Sequence, residues 1–172
     1  MTSDKTADHI HLRPMKMSDL DEVVSIDLAS FPTPWPKEAF LYELQQRRNS
    51  ICRVAVLKTE DNVSELAGTV VIWVNGENAH IGTLAVKPGH RHRGIGQHLL
   101  ANSLLECVQR GVKRVTLEVR AGNKKAQQLY HKFGFLQIGL REDYYKDTHE
   151  DALLMALAPL NAEKLAELAN CG

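Results

Sequence analysis

Arg91-His92-Arg93-Gly94-Ile95-Gly96 stands between two patterned runs, and reading it decides the architecture. Before it, Ala79–Val86 alternates as a strand does, and Pro88-Gly89 breaks the run. After it, Ile95, Leu99, Leu100, Leu104, Cys107 and Val108 keep three- and four-residue spacing, which predicts a helix from Gly94 to a stop at Gly111. A strand, a glycine turn and a helix in that order make a cradle for an anion. Glycine lets the backbone approach a ligand with no Cβ in the way. The helix start adds unpaired N–H groups and the positive end of its dipole, an arrangement suited to a pyrophosphate. Two glycines alone would only shape a tight turn. The basic triplet Arg91, His92, Arg93 in front and the long amphipathic helix behind carry the binding reading. The segment lacks the Gly-Lys-Ser/Thr ending of a P-loop. Leu99 occupies the third glycine position of a dinucleotide fingerprint.

Outward from the cradle, the pattern predicts strands at Ile10–Pro14, Ile51–Leu57, Leu66–Val74, Val112–Val119, Phe135–Leu140 and Asp151–Ala158. Asn75-Gly76 reads as a hairpin turn between the third strand and Ala79–Val86. Ser18 is the expected N-cap of a helix reaching Ser30. Phe31–Pro36 carries three prolines and cannot be regular. Pro36 suits the start of a helix running to about Gln46. Asn123–Phe133 is helical with Ala126, Leu129, Tyr130 and Phe133 on one face, and Gly134 ends it. A short helix at Ala162–Ala169 trails the domain. Hairpins plus one β-α-β crossover give a mixed α/β fold: a mostly antiparallel central sheet of about seven strands flanked by helices. Residues 1–8 read as a disordered leader, 9–158 as the domain and 159–172 as a helical tail.

The chain has 172 residues, 44% hydrophobic and 24% charged, enough for one domain with a proper core. Lys+Arg and Asp+Glu both number 21, so nothing in the bulk charge asks for nucleic acid or an anionic membrane. Cys52, Cys107 and Cys171 are scattered, which argues against a disulfide framework or zinc site and for a reducing cytosol. His9/His11 and His90/His92 lack companions at ligand spacing, so no metal is expected. No apolar run approaches the ~20 residues that span a membrane.

Two further residues stand out. Glu118 is an acid in the otherwise apolar strand Val115–Val119, where alternation puts Thr116, Glu118 and Arg120 on one face. It is either a solvated or Arg120-paired position, or a general base that takes the proton of an attacking amine. Tyr130 is either a core aromatic on the apolar face or a general acid. Asn123 suits the N-cap of the Tyr130 helix and could also hydrogen-bond a cofactor.

Arg91-x-x-Gly94-x-Gly96 after Leu84-Ala85-Val86 resembles the acetyl-CoA motif of the GNAT acetyltransferase superfamily. The likeness in element order covers nearly all of residues 9–158. Leu117-Glu-Val-Arg120-x-x-Asn123, then Ala126-x-x-Leu129-Tyr130 and Gly134-Phe135, resembles its N-terminal acetyltransferase branch, in particular the RimI type, which acetylates a ribosomal protein's N-terminal alanine. The resemblance implies acetyl-CoA as co-substrate. Its pantetheine would lie on Leu84, Ala85 and Val86, and its pyrophosphate on Arg91, His92, Arg93, Gly94, Ile95, Gly96 and Gln97, with Asn123 contacting the cofactor. Glu118 would be the base and Tyr130 the acid of a direct transfer, with a backbone N–H near Val86 polarising the thioester. Phe31–Trp35 and Arg141-Glu-Asp-Tyr144-Tyr145, with Glu150, Asp151, Ala152 and Met155, resemble the elements lining the peptide site. The cradle departs from the type by reading Arg-His-Arg where Gln-Arg-Arg is common. The implied protein is a cytoplasmic monomer acting on a protein N-terminus, without nucleic-acid or membrane partners. A lysine or small-molecule amine acetyltransferase, or a non-catalytic acetyl-CoA-binding module, are the other readings.

Overall fold

The structure, a computed structural model, describes residues 9–46 and 48–171, so the leader expected at 1–8 lies outside the described residues. The strands are β1 (His9–Pro14), β2 (Ser50–Lys58), β3 (Ser64–Asn75), β4 (Asn78–Val86), β5 (Arg114–Arg120), β6 (Leu136–Tyr145) and β7 (Glu150–Leu157). The helices are α1 (Leu20–Ser30), α2 (Lys37–Gln45), α3 (Ile95–Gln109), α4 (Lys124–Phe133) and α5 (Ala162–Asn170). The seven strands form one sheet in the order β1-β2-β3-β4-β5-β7-β6. All neighbours are antiparallel except β4 and β5, the pair joined by the α3 crossover. The mixed sheet expected from the pattern is therefore the one observed.

Alternation along the strands sorts side chains onto the two faces. On one face Leu99, Leu104, Val115, Leu117, Tyr130, Phe133 and Phe135 form a core beneath α3 and α4, joined by Leu165 of α5. On the other, Val54, Val56, Val71 and Ala85 pack against Val23, Ile26, Phe40 and Leu44 of α1 and α2. Full burial of side chains such as Phe40, Phe133 and Phe135 stabilises the fold by about 1.5–3 kcal/mol each. The terminal helix is thus no loose tail. Leu165 is 2% exposed, and the Gln97 and His98 side chains meet the Leu168 and Ala169 carbonyls.

Three local expectations change. Ser18 is exposed in a short 3₁₀ turn and caps nothing. Asp19 takes the N-cap position of α1 instead, but its carboxylate turns back to accept from Arg13 at 2.6 Å and from the Lys16 N–H at 2.7 Å, and these bonds hold its pKa below the usual carboxylate value. The last strand pair is also longer than its apolar residues suggest. β6 runs on to Tyr145 because its polar second half still pairs with β7, through Arg141↔Ala152 and Tyr145↔Glu150. Finally, β4 carries a bulge. Val71 pairs with Thr83 and Ile72 with Ile81, leaving Gly82 as the extra residue.

The feature that makes a site is a parting of strands. β4 and β5 pair only at Asn78↔Arg114, Ala79↔Val115 and His80↔Thr116. Beyond His80 the two strands diverge, and the gap opens the sheet from face to face.

Candidate active site

Two cavities meet at this gap. The larger, about 740 Å³, runs along β4, the loop after it, and the starts of α3 and α4. The smaller, about 180 Å³, lies between the separated halves of β4 and β5. Phe31, Leu84, Asn123, Ala126 and Tyr130 line both.

The larger cleft is built mainly from backbone. Gly94 sits at the N-cap of α3 with φ +78°, a left-handed conformation that glycine adopts without strain. His92 also has a positive φ, +63°. Lys87 N–H bonds to the Ala67 carbonyl at 2.8 Å, and antiparallel alternation then turns the Leu84 and Val86 peptide groups away from β3 and toward the cleft. The Val86 carbonyl on that side accepts from Arg91 Nε at 3.0 Å. The Val86 N–H on the same edge remains a donor into the cleft.

Of the residues expected to hold the cofactor, Leu84, Ala85, Val86, Arg91, His92, Gly94, Ile95, Gly96, Gln97 and Asn123 all line this cleft. Arg93 does not; its guanidinium meets His90 Nδ1 at 3.0 Å. The Gln97 side chain is occupied, accepting from Lys132 Nζ at 2.6 Å and donating to Leu168, so its backbone is what faces a ligand. Asn123 Oδ1 accepts from the Ala126 N–H at 3.2 Å and caps α4, as the sequence pattern suggested. Reasoning from the motif missed Lys125 and Lys132 of α4, which also line the cleft, and among the described residues no Asp or Glu does. In a chain of zero formal net charge, this is a local cationic surface. It fits a phosphate-bearing ligand with an amide-rich arm laid along β4.

The smaller cavity is built from side chains. Leu117 belongs to the core under α4 with Tyr130, so by alternation Glu118 emerges on the opposite face of the sheet. Glu118 and Tyr130 therefore reach the same gap from opposite faces, and both line the cavity. Glu118 is anchored by His80, Nε2 to Oε2 2.6 Å, with Arg141 3.7 Å from Oε1. Tyr130 is 7% exposed, and burial pushes its phenol well above its ordinary value. It stays protonated throughout the neutral and mildly alkaline range.

The proline-rich loop Phe31–Trp35 closes one side. Asp27, fully buried in α1, accepts from the Trp35 N–H at 2.6 Å and from the Thr83 hydroxyl at 2.8 Å. Burial raises its pKa. The Trp35 ring lies over Gly82, where an added Cβ would stand 2.8 Å from it, so the bulge glycine exists to admit the indole. On the far side Arg120 stacks over Tyr145 at 3.9 Å and bonds to Asp147, whose carboxylate also accepts from Thr33 at 2.8 Å. Thus Phe31–Trp35 and Tyr145 at the end of β6 wall one cavity, and Asp147 of the following loop ties the two sides through Thr33. Tyr145 lines it and Tyr144 does not. Signals for Asp27, His80 and Gly82 were present as a polar residue or glycine inside an apolar pattern, but nothing local joined them.

Cys107 is buried and its thiol is pushed up to about 12 by burial, which makes it inert. Among the described residues no group of three His, Cys, Asp or Glu side chains could hold a metal ion. No helix there is long and apolar enough to cross a membrane.

Comparison with known proteins agrees with this geometry. The model of the acetyltransferase (GNAT) family matches residues 20–135. The chain is 32% identical over 145 residues to the ribosomal protein bS18-alanine N-acetyltransferase of Salmonella typhimurium, covering 83% of this chain and 93% of that one. It is 37% identical over 144 residues to a Bacillus subtilis protein given the same name provisionally, covering 84% and 92%. Its fold matches the crystal structure of the Escherichia coli ribosomal-protein-S18-alanine N-acetyltransferase with TM-score 0.77 and 28% identity, over 90% of this chain and 96% of that one.

Proposed function

The chain belongs to the acetyltransferase (GNAT) family and is an N-acetyltransferase; from that premise we propose that it acetylates the α-amine of a protein N-terminus, in the first instance the N-terminal alanine of a ribosomal protein. The observation that carries this reading is the gap between β4 and β5, which a carboxylate and a buried phenol enter from opposite faces. The names of the relatives, bS18-alanine N-acetyltransferases, support this choice of acceptor.

The larger cleft suits acetyl-CoA: the α3 N-terminus and Arg91, Lys125 and Lys132 for the phosphates, and the Leu84 and Val86 peptide groups for the pantetheine amides. When bound, acetyl-CoA supplies an acetyl thioester with a thiolate as leaving group. The remaining work falls to side chains and backbone of this protein. The Val86 N–H donates to the acetyl carbonyl oxygen and stabilises the charge that develops there. Glu118 takes a proton from the amine, which attacks only as the free base. An α-amine with a reference pKa of about 7.7–8.0 needs less help than a lysine at about 10.4. Tyr130, kept protonated by burial, gives its Oη proton to the departing sulfur. The small cavity, narrowed by Phe31, Trp35 and Tyr145, favours a small first residue. Transfer is direct, within one ternary complex, where orientation supplies much of the rate. The scattered free cysteines suit a reducing cytoplasm.

The deciding experiment measures thiol release from acetyl-CoA with two peptides: one beginning with alanine, and one acetylated at its N-terminus with an internal lysine. Turnover on the free alanine peptide alone is the expected result. Turnover on the blocked lysine peptide alone would replace the reading with lysine acetylation.

A further inference from the structure

The mechanism above leaves one tightly held polar group unused. His80 lies on β4 at the last pair before the strands part, opposite Thr116. Its Nε2 stands 2.6 Å from Glu118 Oε2 and its Nδ1 2.7 Å from Thr116 Oγ1. The ring is stacked on Trp73, 5.6 Å between centroids at 7°, and Trp73 is stacked on Trp35, 5.6 Å at 16°. The imidazole is thus fixed at both nitrogens and on one ring face.

We propose that His80 is the positioning residue of the base: by donating Nε2–H to Oε2, it keeps the Glu118 carboxylate in one rotamer with Oε1 as the oxygen that receives the amine proton. The hydrogen-bond arithmetic assigns the tautomer. A carboxylate only accepts, so Nε2 carries the hydrogen. In the neutral ring Nδ1 then accepts, and the Thr116 hydroxyl is its donor. Thr116, His80 and Glu118 form a chain that ends on the reacting group, with each member oriented by the one before. The stack on Trp73 and Trp35 ties this chain to the loop that walls the acceptor cavity.

The other groups facing Glu118 cannot do the same work. Arg141 of β6 is 3.7 Å from Oε1 and 53% exposed along its side chain, so it adds screened charge rather than orientation. Arg120, on the same strand, is committed to Asp147, Glu150 and the Tyr145 ring. Tyr145 lines the cavity with its ring under Arg120. His80 alone among these makes a short bond to the carboxylate.

The proposal rests on Glu118 being the base, and its test keeps the two apart. His80→Ala, His80→Gln, Thr116→Val and Glu118→Gln are compared with the wild-type protein on whichever amine that protein acetylates. Acetyl-CoA affinity is measured by calorimetry and folding by thermal melting. His80→Ala is expected to lower kcat by about 10- to 100-fold, less than loss of a primary base, with acetyl-CoA affinity unchanged. The loss falls on kcat, while the KM for acetyl-CoA stays at the wild-type value. His80→Gln, whose amide can still donate to Glu118, recovers much of the rate. Thr116→Val, close in shape, falls between. His80→Ala with wild-type kcat overturns the proposal, as does a folded His80→Gln as slow as His80→Ala. Wild-type turnover by Glu118→Gln overturns the base itself. An impaired Glu118→Gln beside a fully active His80→Ala overturns the positioning role alone.

Discussion

The cleft along β4 and the cavity between β4 and β5 share a wall but are made differently. The cleft comes mainly from one continuous stretch, Leu84–Gln97, with α4 added along its side. Under the proposed function its binding groups are largely peptide N–H groups and a helix terminus. The cavity draws Trp35 from the loop after α1, Gly82 and Thr83 from β4, Glu118 from β5, Tyr130 from α4 and Tyr145 from β6. Several of its groups are held from another element: Asp27 takes the Trp35 N–H, His80 the Glu118 carboxylate, and Arg120 lies over the Tyr145 ring. A backbone-built site tolerates changes of side chain. A side-chain-built site fails when any one support is withdrawn.

That contrast can be tested by separating acetyl-CoA affinity from acceptor turnover, and the largest separation is expected at Glu118. Glu118→Gln should lower kcat at neutral pH by about 10²–10⁴-fold with the acetyl-CoA dissociation constant unchanged. Lost cofactor binding in calorimetry would instead mean that Glu118 supports both regions. Tyr130→Phe comes next, since Tyr130 lines both cavities: kcat falls roughly 10²-fold while the protein stays folded. The raised phenol pKa also fixes a sign. Tyr130 in the folded protein keeps its proton above pH 10, whereas in the unfolded chain it ionises near its reference value of about 10. Unfolding therefore releases a proton there, and Tyr130 makes the fold lose stability as pH rises past about 10. Below that, no alkaline loss of kcat comes from this residue, and a pH profile from 7 to 10 checks it.

Smaller effects divide the two regions. Gly82→Ala pushes a methyl into the Trp35 ring and should destabilise by about 1–3 kcal/mol in thermal melting. The KM for peptide should rise several-fold and that for acetyl-CoA should not. A rise in the acetyl-CoA KM alone would mean that Trp35 supports the cleft and not the cavity. At the other site, Arg91→Ala should raise the acetyl-CoA KM by only about fivefold, with peptide KM unmoved, and the effect should shrink in high salt. The cradle's backbone donors remain in that variant. A loss of a hundredfold or more would show that side-chain charge, not backbone, makes the cleft.

The same contrast governs what could be read without a structure. The candidate cradle is local: a basic triplet, two glycines and a helix start lie in order along the chain, so it could be read from one short segment. Asn123 and the face of α4 carrying Tyr130 were legible for the same reason, because a cap and a helical period are short-range. The exposed Ser18 shows where this fails even locally: α1 begins after Asp19, whose carboxylate is drawn back to Arg13 on β1 and to the Lys16 N–H. β6 shows it again, since pairing with β7 extended the strand through residues whose polarity suggested a loop.

By itself, then, the sequence determined the element order, the mixed sheet, the anion cradle, and an acid and a phenol at suggestive places. It did so because hydrophobic period, turn chemistry and helix termini act over a few residues. Only the tertiary structure decided where β4 and β5 stop pairing, which of their side chains face the gap, and that His80 and Thr116 stand behind Glu118. Those facts depend on strand register and on bulges such as Gly82. They are set by packing between elements far apart in the chain.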